Sequence, residues 1–136
     1  MELRYEGYID LKSDADFAKF LNPELVGKAF PGVASITKDG DWYRARMTIG
    51  IGGLRGPMDV KFRYAEASEN KVVVVGSASG LQSTVDFTLQ LIKEGVRAHW
   101  VFVGNARGLI SALGKPIVDA AAKSIVDQVV RNLQSL

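Results

Sequence analysis

Apolar and polar residues alternate along most of this chain, and the pattern changes near its C-terminus. Between residues 43 and 102 apolar side chains recur at every second position, segment after segment. From residue 107 to residue 136 they recur at every third or fourth position. The first period is typical of half-buried β-strands and the second of an amphipathic helix. The chain is therefore predicted to form a series of strands followed by one long helix.

The first 29 residues predict one strand and two short helices. Residues 2–12 alternate strictly, which indicates a half-buried strand. Ser13 and Asp16 have the spacing of a capping box, so a short helix is expected to begin there. Asn22 and Pro23 end that helix, and proline at a first helical position predicts a second short helix up to residue 27 or 29.

Six further strands are expected between residues 33 and 104. Strands 33–38 and 41–51 are joined at Asp39-Gly40, which is a strong hairpin signal. The next strand follows the glycine-rich segment 50–56, and the last three are predicted at 71–79, 82–93 and 96–104. Short turns between consecutive strands favour an antiparallel sheet. The unbroken run from Val72 to Val75 predicts a strand that is covered on both faces or lies near a partner.

The C-terminal segment completes the predicted fold. Its apolar stripe consists of Ile110, Leu113, Ile117, Ala121, Ile125 and Val129. Pro116 lies inside the stripe, so it either kinks the helix or sets its true start near Gly114. The prediction is an α+β fold in which a curved seven-stranded antiparallel sheet wraps around one long helix. Residues 1–136 are expected to form a single domain.

Composition and charge narrow the function classes. The chain has 136 residues, of which 47% are hydrophobic and 24% charged, as in an ordinary globular protein. Its net charge of +2 is small and its basic residues are scattered, which argues against nucleic acid as a partner. The absence of cysteine excludes disulfides and thiolate metal sites. Without a signal peptide or a transmembrane segment, the expected location is cytoplasmic.

Two glycine-rich segments resemble nucleotide-binding motifs only superficially. In the segment 50–56 the third glycine of a dinucleotide fingerprint is replaced by Arg55, and a strand follows where a helix would be needed. Between Gly108 and Gly114 there is one residue too many for a P-loop, and Pro116 occupies the position of the magnesium-binding hydroxyl. Both segments are interpreted as bends that shape the backbone.

The ionisable residues do not form a recognisable catalytic set. His99 is the only histidine and is predicted to lie on the face opposite Trp100, as a surface or edge residue. Asp10, Asp59 and Asp86 all fall on the outward parity of their strands. Acid–base catalysis in a pocket needs carboxylates with perturbed pKa values on the inward face. No catalytic residue, metal site or cofactor is predicted, although a slip in strand register would reverse this parity.

The inward apolar residues allow two interpretations, a filled core or an apolar pocket in which tyrosine hydroxyls orient a ligand. The small Ala120-Ala121-Ala122 stretch of the helix favours the pocket. The candidate ligand-binding residues are Phe30, Tyr43, Met47, Met58, Phe62, Tyr64, Phe87, Trp100, Phe102, Leu113, Ile117 and Ala121.

Several stretches, in their order and spacing, resemble a known family. They are Leu21-Asn22-Pro23-Glu24-Leu25 running to Phe30-Pro31-Gly32-Val33, Asp39 to Ala45, Gly50 to Gly56, and Leu113-Gly114-Lys115 leading to Asp127-Gln128. The chain resembles the helix-grip fold of the START-like (SRPBCC) superfamily and, within it, the CoxG family of carbon monoxide dehydrogenase subunits. Members of the superfamily hold lipids and other apolar ligands between a curved sheet and a C-terminal helix.

The resemblance implies an accessory or carrier role and leaves three hypotheses open. The first is a non-enzymatic protein that encloses an apolar or amphipathic small molecule, such as a lipid or a quinone-like compound. The second is an assembly or membrane-recruitment factor for a molybdenum-containing dehydrogenase of the carbon monoxide dehydrogenase type. It would act through a surface patch with exposed Trp42, Arg44 and Arg46, and would add peripheral contact at the inner face of the membrane. The third is a small START-like enzyme, which would need an inward acid–base pair.

Overall fold

Seven strands form one antiparallel sheet in the computed structural model, which describes residues 1–136. The strands are β1 (Glu2–Asp10), β2 (Thr37–Asp39), β3 (Trp42–Ile51), β4 (Leu54–Ala67), β5 (Lys71–Gly80), β6 (Ser83–Glu94) and β7 (Arg97–Gly108). Their spatial order is β1-β7-β6-β5-β4-β3-β2, so every pair from β2 to β7 is a hairpin and β1 closes on β7. This arrangement confirms the predicted sheet.

Four helical segments cover the concave face of the sheet. They are a 3₁₀ helix (Asp14–Leu21), α1 (Pro23–Lys28), a short 3₁₀ connector (Leu109–Leu113) and the long helix α2 (Lys115–Gln134). α1 begins as predicted, because the Asn22 side chain accepts hydrogen bonds from the backbone N–H groups of Glu24 and Leu25 at its N-terminus. None of these helices has the combination of length and hydropathy needed to cross a bilayer.

The capping box expected at Ser13 does not form. The Ser13 side chain makes no capping hydrogen bond, and the segment is a 3₁₀ helix. Instead, the Asp16 carboxylate turns back and accepts hydrogen bonds from the Lys12 backbone N–H at 2.9 Å and from Lys19 Nζ at 3.2 Å. These contacts, chiefly the Lys12 bond, hold the pKa of Asp16 below its usual value.

The end of β7 and the start of α2 differ from the continuous helix that the sequence suggests. Strand β7 runs to Gly108, and Gly114 has a φ of 91°, which a right-handed helix excludes. Pro116 then lies in the first turn of α2, where the missing N–H would have had no helical partner. Pro116 therefore marks the start of the helix and does not kink it.

Two strand predictions also need correction. β2 is limited to Thr37–Asp39, although a strand was expected from residue 33. The run of four valines in β5 is covered on one face only. Val72 and Val74 are fully buried, whereas Val73 and Val75 point to the convex face and are half-buried.

We predict that Phe20→Ala lowers the free energy of unfolding by about 3–5 kcal/mol, because its ring is fully buried and packs edge-on against Phe17. Val96→Ala is the control, since this side chain is 63% exposed and its loss should cost less than about 0.5 kcal/mol. Urea denaturation measures both. Equal effects of the two substitutions would contradict this packing.

Candidate functional site

An apolar pocket of about 100 Å³ lies between the concave face of the sheet and α2. All 20 side chains around it are hydrophobic. Those from the sheet and the segments before α2 are Leu3, Phe30, Met47, Ile49, Ile51, Met58, Val60, Ala78, Val85, Phe87, Leu89, Phe102, Ala106 and Ile110. Those from α2 are Val118, Ala122, Ile125, Val126, Val129 and Val130.

The pocket occupies one half of the concave face. Leu3 lies at the start of β1, Ala106 at the end of β7, and Val85 near the start of β6, and pairing brings these strand ends together. Ala78 at the end of β5 and Met58 near the start of β4 belong to the same edge. The hollow half is therefore the one next to the β3–β4 and β5–β6 turns.

Large side chains fill the other half. Phe17 and Phe20 of the 3₁₀ helix and Val26 of α1 are each at most 2% exposed. Leu133 from the last turn of α2 is also fully buried. The Tyr64 hydroxyl donates a hydrogen bond to the Phe20 carbonyl at 2.6 Å, which fixes the 3₁₀ helix against β4. The two short helices thus supply bulk where α2 alone would leave space.

A belt of aromatic rings crosses the concave face between these two halves. Phe30 has its ring centroid 5.6 Å from Phe62 and 6.1 Å from Phe87. Phe87 stacks on Phe102 at 6.0 Å, and Tyr43 stacks on Phe62 at 5.6 Å. These separations are in the range of favourable ring pairs. The belt forms a wall of the pocket and limits how far a ligand could extend toward the filled half.

Five of the candidate residues border the pocket. Phe30, Phe87 and Phe102 contribute the aromatic wall, and Met47 and Met58 lie on neighbouring strands where β3 pairs with β4. Methionine side chains adapt their shape easily, so the two could rearrange around a guest molecule. Their role in binding stays a prediction.

Four candidate residues of the sheet lie in or beyond the belt. Tyr43 and Phe62 stack on each other, with Phe62 fully buried. Tyr64 uses its hydroxyl on the Phe20 backbone, and burial raises its pKa above the usual value. Trp100 covers the bare backbone of Gly7, where an added Cβ would lie 2.9 Å from the indole Nε1. The expected tyrosine hydroxyls therefore do not face the pocket.

The three candidate residues of the C-terminal segment also lie outside the pocket: Leu113, Ile117 and Ala121. The sequence predicted one apolar stripe that runs without a break from the connector into the helix. Gly114 interrupts the helix, and Ile117 in the first turn of α2 is left 47% exposed. Val118 and Ala122 face the pocket beside it, and of the expected stripe Ile110, Ile125 and Val129 also line the pocket.

Sequence reasoning missed most of the aliphatic lining. Ile49, Ile51, Ala78, Val85 and Ala106 all have the inward parity that the alternation predicts. Among the inward positions, the predicted ligand-binding residues of the sheet are aromatic residues and methionines, which are common in ligand sites. The informative residues were the small ones, Ala78, Val85 and Ala106. Small side chains at the paired ends of adjacent strands leave the space that aromatic rings fill elsewhere.

A polar contact holds the start of α2 on β1. The Tyr5 hydroxyl donates a hydrogen bond to Asp119 Oδ1 at 2.9 Å, and Lys115 Nζ lies 3.2 Å from Asp119 Oδ2. The Tyr5 bond, followed by the Lys115 contacts, lowers the pKa of Asp119. Burial, with the hydrogen bond and charge of Asp119, raises the pKa of Tyr5. Both polar groups are satisfied outside the apolar pocket.

The convex face carries the ionisable residues singled out from the sequence. His99 lies there, with its ring stacked on Tyr8 at 5.0 Å and its nitrogens 3.5 Å from the carboxylates of Glu6 and Glu94. The predicted outward positions of Asp10, Asp59 and Asp86 are confirmed.

The surface patch around Trp42 differs from the expectation of an exposed ring. Trp42 is half-buried, with Lys61 Nζ 4.9 Å and the Arg63 guanidinium 5.5 Å from its ring centroid. Arg44 and Arg46 are each paired with an aspartate at 2.9 Å. The cations cover the indole ring, so this part of the surface is mainly charged.

Comparison with known proteins identifies the relatives of this chain. A family model described as CoxG, a subunit of carbon monoxide dehydrogenase, matches residues 7–136. A comparison with curated protein sequences gives no significant match.

Solved structures with the same fold have low sequence identity to this chain. A conserved protein from Geobacillus kaustophilus is 16% identical, with a TM-score of 0.80, and the alignment covers 99% of this chain and 93% of that one. The major latex-like protein 151 of Panax ginseng is 13% identical, with a TM-score of 0.60 and coverage of 99% and 97%. The ZhuI aromatase/cyclase of Streptomyces sp. R1128 is 9% identical, with a TM-score of 0.56 and coverage of 99% and 92%. These similarities establish the helix-grip fold.

We predict that Tyr5→Phe raises the pKa of Asp119 toward its usual value, because the largest cause of its depression is removed. A lowered carboxyl pKa stabilises the folded state above the pKa of the unfolded chain, and that contribution disappears as the pH falls through the folded-state pKa. The stability difference between wild type and Tyr5→Phe should therefore be larger at neutral pH than in acid.

Carbon-13 NMR titration of the Asp119 carboxyl measures this shift directly, and chemical denaturation at several pH values measures the stability difference. Tyr8→Phe is the matched control, since Tyr8 lies on the same strand and is 47% exposed. An unchanged Asp119 pKa in Tyr5→Phe would show that the Tyr5 hydroxyl does not hold the start of α2.

Proposed function

Because the chain belongs to the CoxG family of carbon monoxide dehydrogenase subunits, we propose that it encloses an apolar or amphipathic small molecule and acts as a carrier or accessory protein. The family and the helix-grip fold together indicate a ligand-binding or accessory protein. A lipid or a quinone-like compound is the class of ligand whose chemistry fits the site. The observation that carries the proposal is the uniformly apolar lining of the pocket.

The energetics of the pocket favour an apolar guest. An unfilled space of about 100 Å³ costs roughly 2 kcal/mol relative to a filled core. A guest that fills this space restores the missing van der Waals contacts and removes its own apolar surface from water, at about 25 cal/mol per Å². A charged or strongly polar molecule would lose its hydration without gaining hydrogen bonds from these side chains.

The size of the pocket implies that binding is coupled to movement. Typical small-molecule sites enclose roughly 300–1,000 Å³, and even a benzene-sized guest uses a cavity of about 150 Å³. The present pocket of about 100 Å³ therefore corresponds to a closed state. An acyl chain or a quinone ring requires α2 to move away from the sheet, which its small pocket-facing residues Ala122 and Val118 would permit without breaking large interlocking contacts.

The lining also bears on the choice between binding and catalysis. One protein of the same fold is an aromatase/cyclase. Acid–base chemistry needs ionisable groups within hydrogen-bond reach of the substrate. The lining offers only hydrocarbon and thioether groups, and the hydroxyls of Tyr5 and Tyr64 already have partners outside it. This composition favours the carrier over the small enzyme.

We predict that Ala122→Leu abolishes saturable binding of the neutral apolar fluorophore N-phenyl-1-naphthylamine, because the larger side chain would occupy the pocket. The free energy of unfolding should be retained or raised by up to about 2 kcal/mol, since filling a cavity removes its cost. Fluorescence titration measures binding, and urea denaturation shows that the variant is folded.

The matched control is Ala120→Leu, which makes the same change on the exposed side of α2. It should bind the fluorophore as wild type does. The carrier proposal fails if wild-type protein shows no saturable binding, or if Ala122→Leu and Ala120→Leu bind equally well.

A second candidate function, docking to a dehydrogenase of the carbon monoxide dehydrogenase type, is favoured by the convex surface of β3 and β4. Arg44, Arg46, Lys61 and Arg63 lie side by side there, and only two of these cations are paired with carboxylates. Arginine and tryptophan are enriched at protein interfaces. The patch would suit an acidic surface on such a partner, or on a molybdenum-containing enzyme of related type.

We predict that the double variant Lys61→Glu, Arg63→Glu weakens the binding of such an enzyme by roughly tenfold or more at low salt, because charge steering and complementarity are reversed. Surface plasmon resonance with the purified enzyme measures the effect, and Lys123→Glu on α2 provides a control for charge alone. Equal binding by all three proteins would remove the patch from consideration.

A further inference from the structure

Phe30 is the one residue of the pocket lining that comes from neither the sheet nor the C-terminal segment. It lies just after α1, and Pro31 follows it. The helical conformation is disfavoured for a residue that precedes proline, so α1 does not continue through Phe30. The chain leaves the helix at this point, and the Phe30 ring reaches the aromatic belt from the helical layer.

The backbone around Phe30 is fixed by hydrogen bonds. Its N–H donates to the Gly27 carbonyl at 3.3 Å, and its carbonyl accepts from the Val33 N–H at 3.4 Å. The preceding residue, Ala29, is buried, and its carbonyl accepts from Asn132 Nδ2 near the end of α2 at 2.9 Å. The position of the Phe30 ring is therefore set by α1 and by the C-terminal end of α2, and not by the strands.

The other two rings of the pocket wall, Phe87 and Phe102, are held by the sheet itself. A Cβ added to Gly76 would lie 2.6 Å from Phe87 Cζ, and one added to Gly104 would lie 3.1 Å from Phe102 Cε1. Each ring thus lies against bare backbone of the sheet, where a glycine leaves room for it. Phe30 is the ring that bridges the space between these two and the helical layer.

The Phe30 ring has no free space behind it on the side of the belt. Its centroid lies 5.6 Å from that of Phe62, and Phe62 is fully buried. Because buried side chains are closely packed, a guest that presses on the Phe30 ring cannot push it toward Phe62 without displacing the core.

We propose that Phe30 determines the greatest length of apolar guest that the pocket accepts, because its ring closes the hollow half at the aromatic belt. This inference rests on the proposed carrier function and names the residue that selects among guests of the same chemistry. A hydrocarbon chain that lies in the hollow half must end at the Phe30 ring. Any further methylene stays outside the pocket and contributes nothing to binding.

A series of straight-chain primary alcohols, from hexanol to dodecanol, tests this role. Isothermal titration calorimetry measures the affinity of each alcohol for wild type and for Phe30→Ala. In wild type each added methylene should tighten binding about fourfold up to a limiting chain length, after which the affinity should stay constant. Phe30 borders the pocket, so the space of its ring joins the pocket in Phe30→Ala. In this variant the tightening of about fourfold per methylene should continue past the wild-type limit.

Tyr43→Ala is the matched control. Tyr43 also stacks on Phe62, at the same centroid distance of 5.6 Å, but it does not border the pocket. Its removal takes a ring of similar size from the same neighbour and should leave the limiting length as in wild type. Urea denaturation shows that both variants are folded.

The outcomes separate the role of Phe30 from the carrier function. If wild type binds the alcohols and the limiting length is the same in Phe30→Ala, or shifts equally in Tyr43→Ala, the role of Phe30 is overturned and the carrier function stands. If wild type binds none of the alcohols and does not bind N-phenyl-1-naphthylamine saturably, the carrier function is overturned, and the role of Phe30 with it.

A second variant keeps the test independent of any packing that Phe30→Ala loses. Phe30→Trp enlarges the side chain at the same position, and the partial exposure of Phe30 leaves room for the larger indole. The limiting length should become shorter, so the longest alcohols that wild type still distinguishes should bind several-fold more weakly while hexanol binds as before. A limiting length in Phe30→Trp equal to that of wild type would contradict the proposal.

Discussion

The concave face of the sheet is wider than the side chains of one helix can fill, and the structure depends on how this space is divided. Phe17 and Phe20 from the first 3₁₀ helix fill one half. Over the other half α2 presents alanine, valine and one isoleucine side chain, among them Val118, Ala122 and Ile125, and about 100 Å³ remain. Since protein interiors are normally packed as densely as organic crystals, an unfilled apolar region is a departure that suits ligand binding.

The contacts of α2 follow the same division. Its C-terminal end is fixed by Lys19 and Asn132 over the filled half, and its first turns are fixed to β1 by Tyr5 and Lys115. The remaining edge, over the hollow half, is closed by aliphatic contacts with Gly52. The polar contacts of α2 thus lie along β1 and over the filled half of the sheet.

The sequence contained enough information for the architecture because each local signal pointed to the same fold. Alternation identified the strands and the faces of their side chains, and turn residues such as Asp39-Gly40 identified the hairpins. Alternation, however, assigns a residue to a face and not to a position along the strand. Met58 and Tyr64 share the inward face of β4, but only Met58 borders the pocket, because the 3₁₀ helix covers the end of β4 that carries Tyr64.

The start of α2 shows a second limit. A periodic pattern assumes a continuous helix, but the positive φ of Gly114 separates the connector that carries Ile110 from α2. The signal was present in Gly114 and Pro116, which are typical of a helix start. Because the stripe was extended across these two residues, Ile117 was predicted to be buried. In the structure Ile117 is exposed and the next residue, Val118, is buried.

Xenon binding in crystals of the protein under pressure tests the central claim most directly, because an apolar cavity slightly larger than a xenon atom binds it without help from polar groups. The account predicts one xenon atom between the sheet and α2, in contact with Met58, Val85 and Ala122, and none among Phe17, Phe20 and Leu133. A structure in which side chains or ordered water occupy that space, with no xenon there, would contradict it.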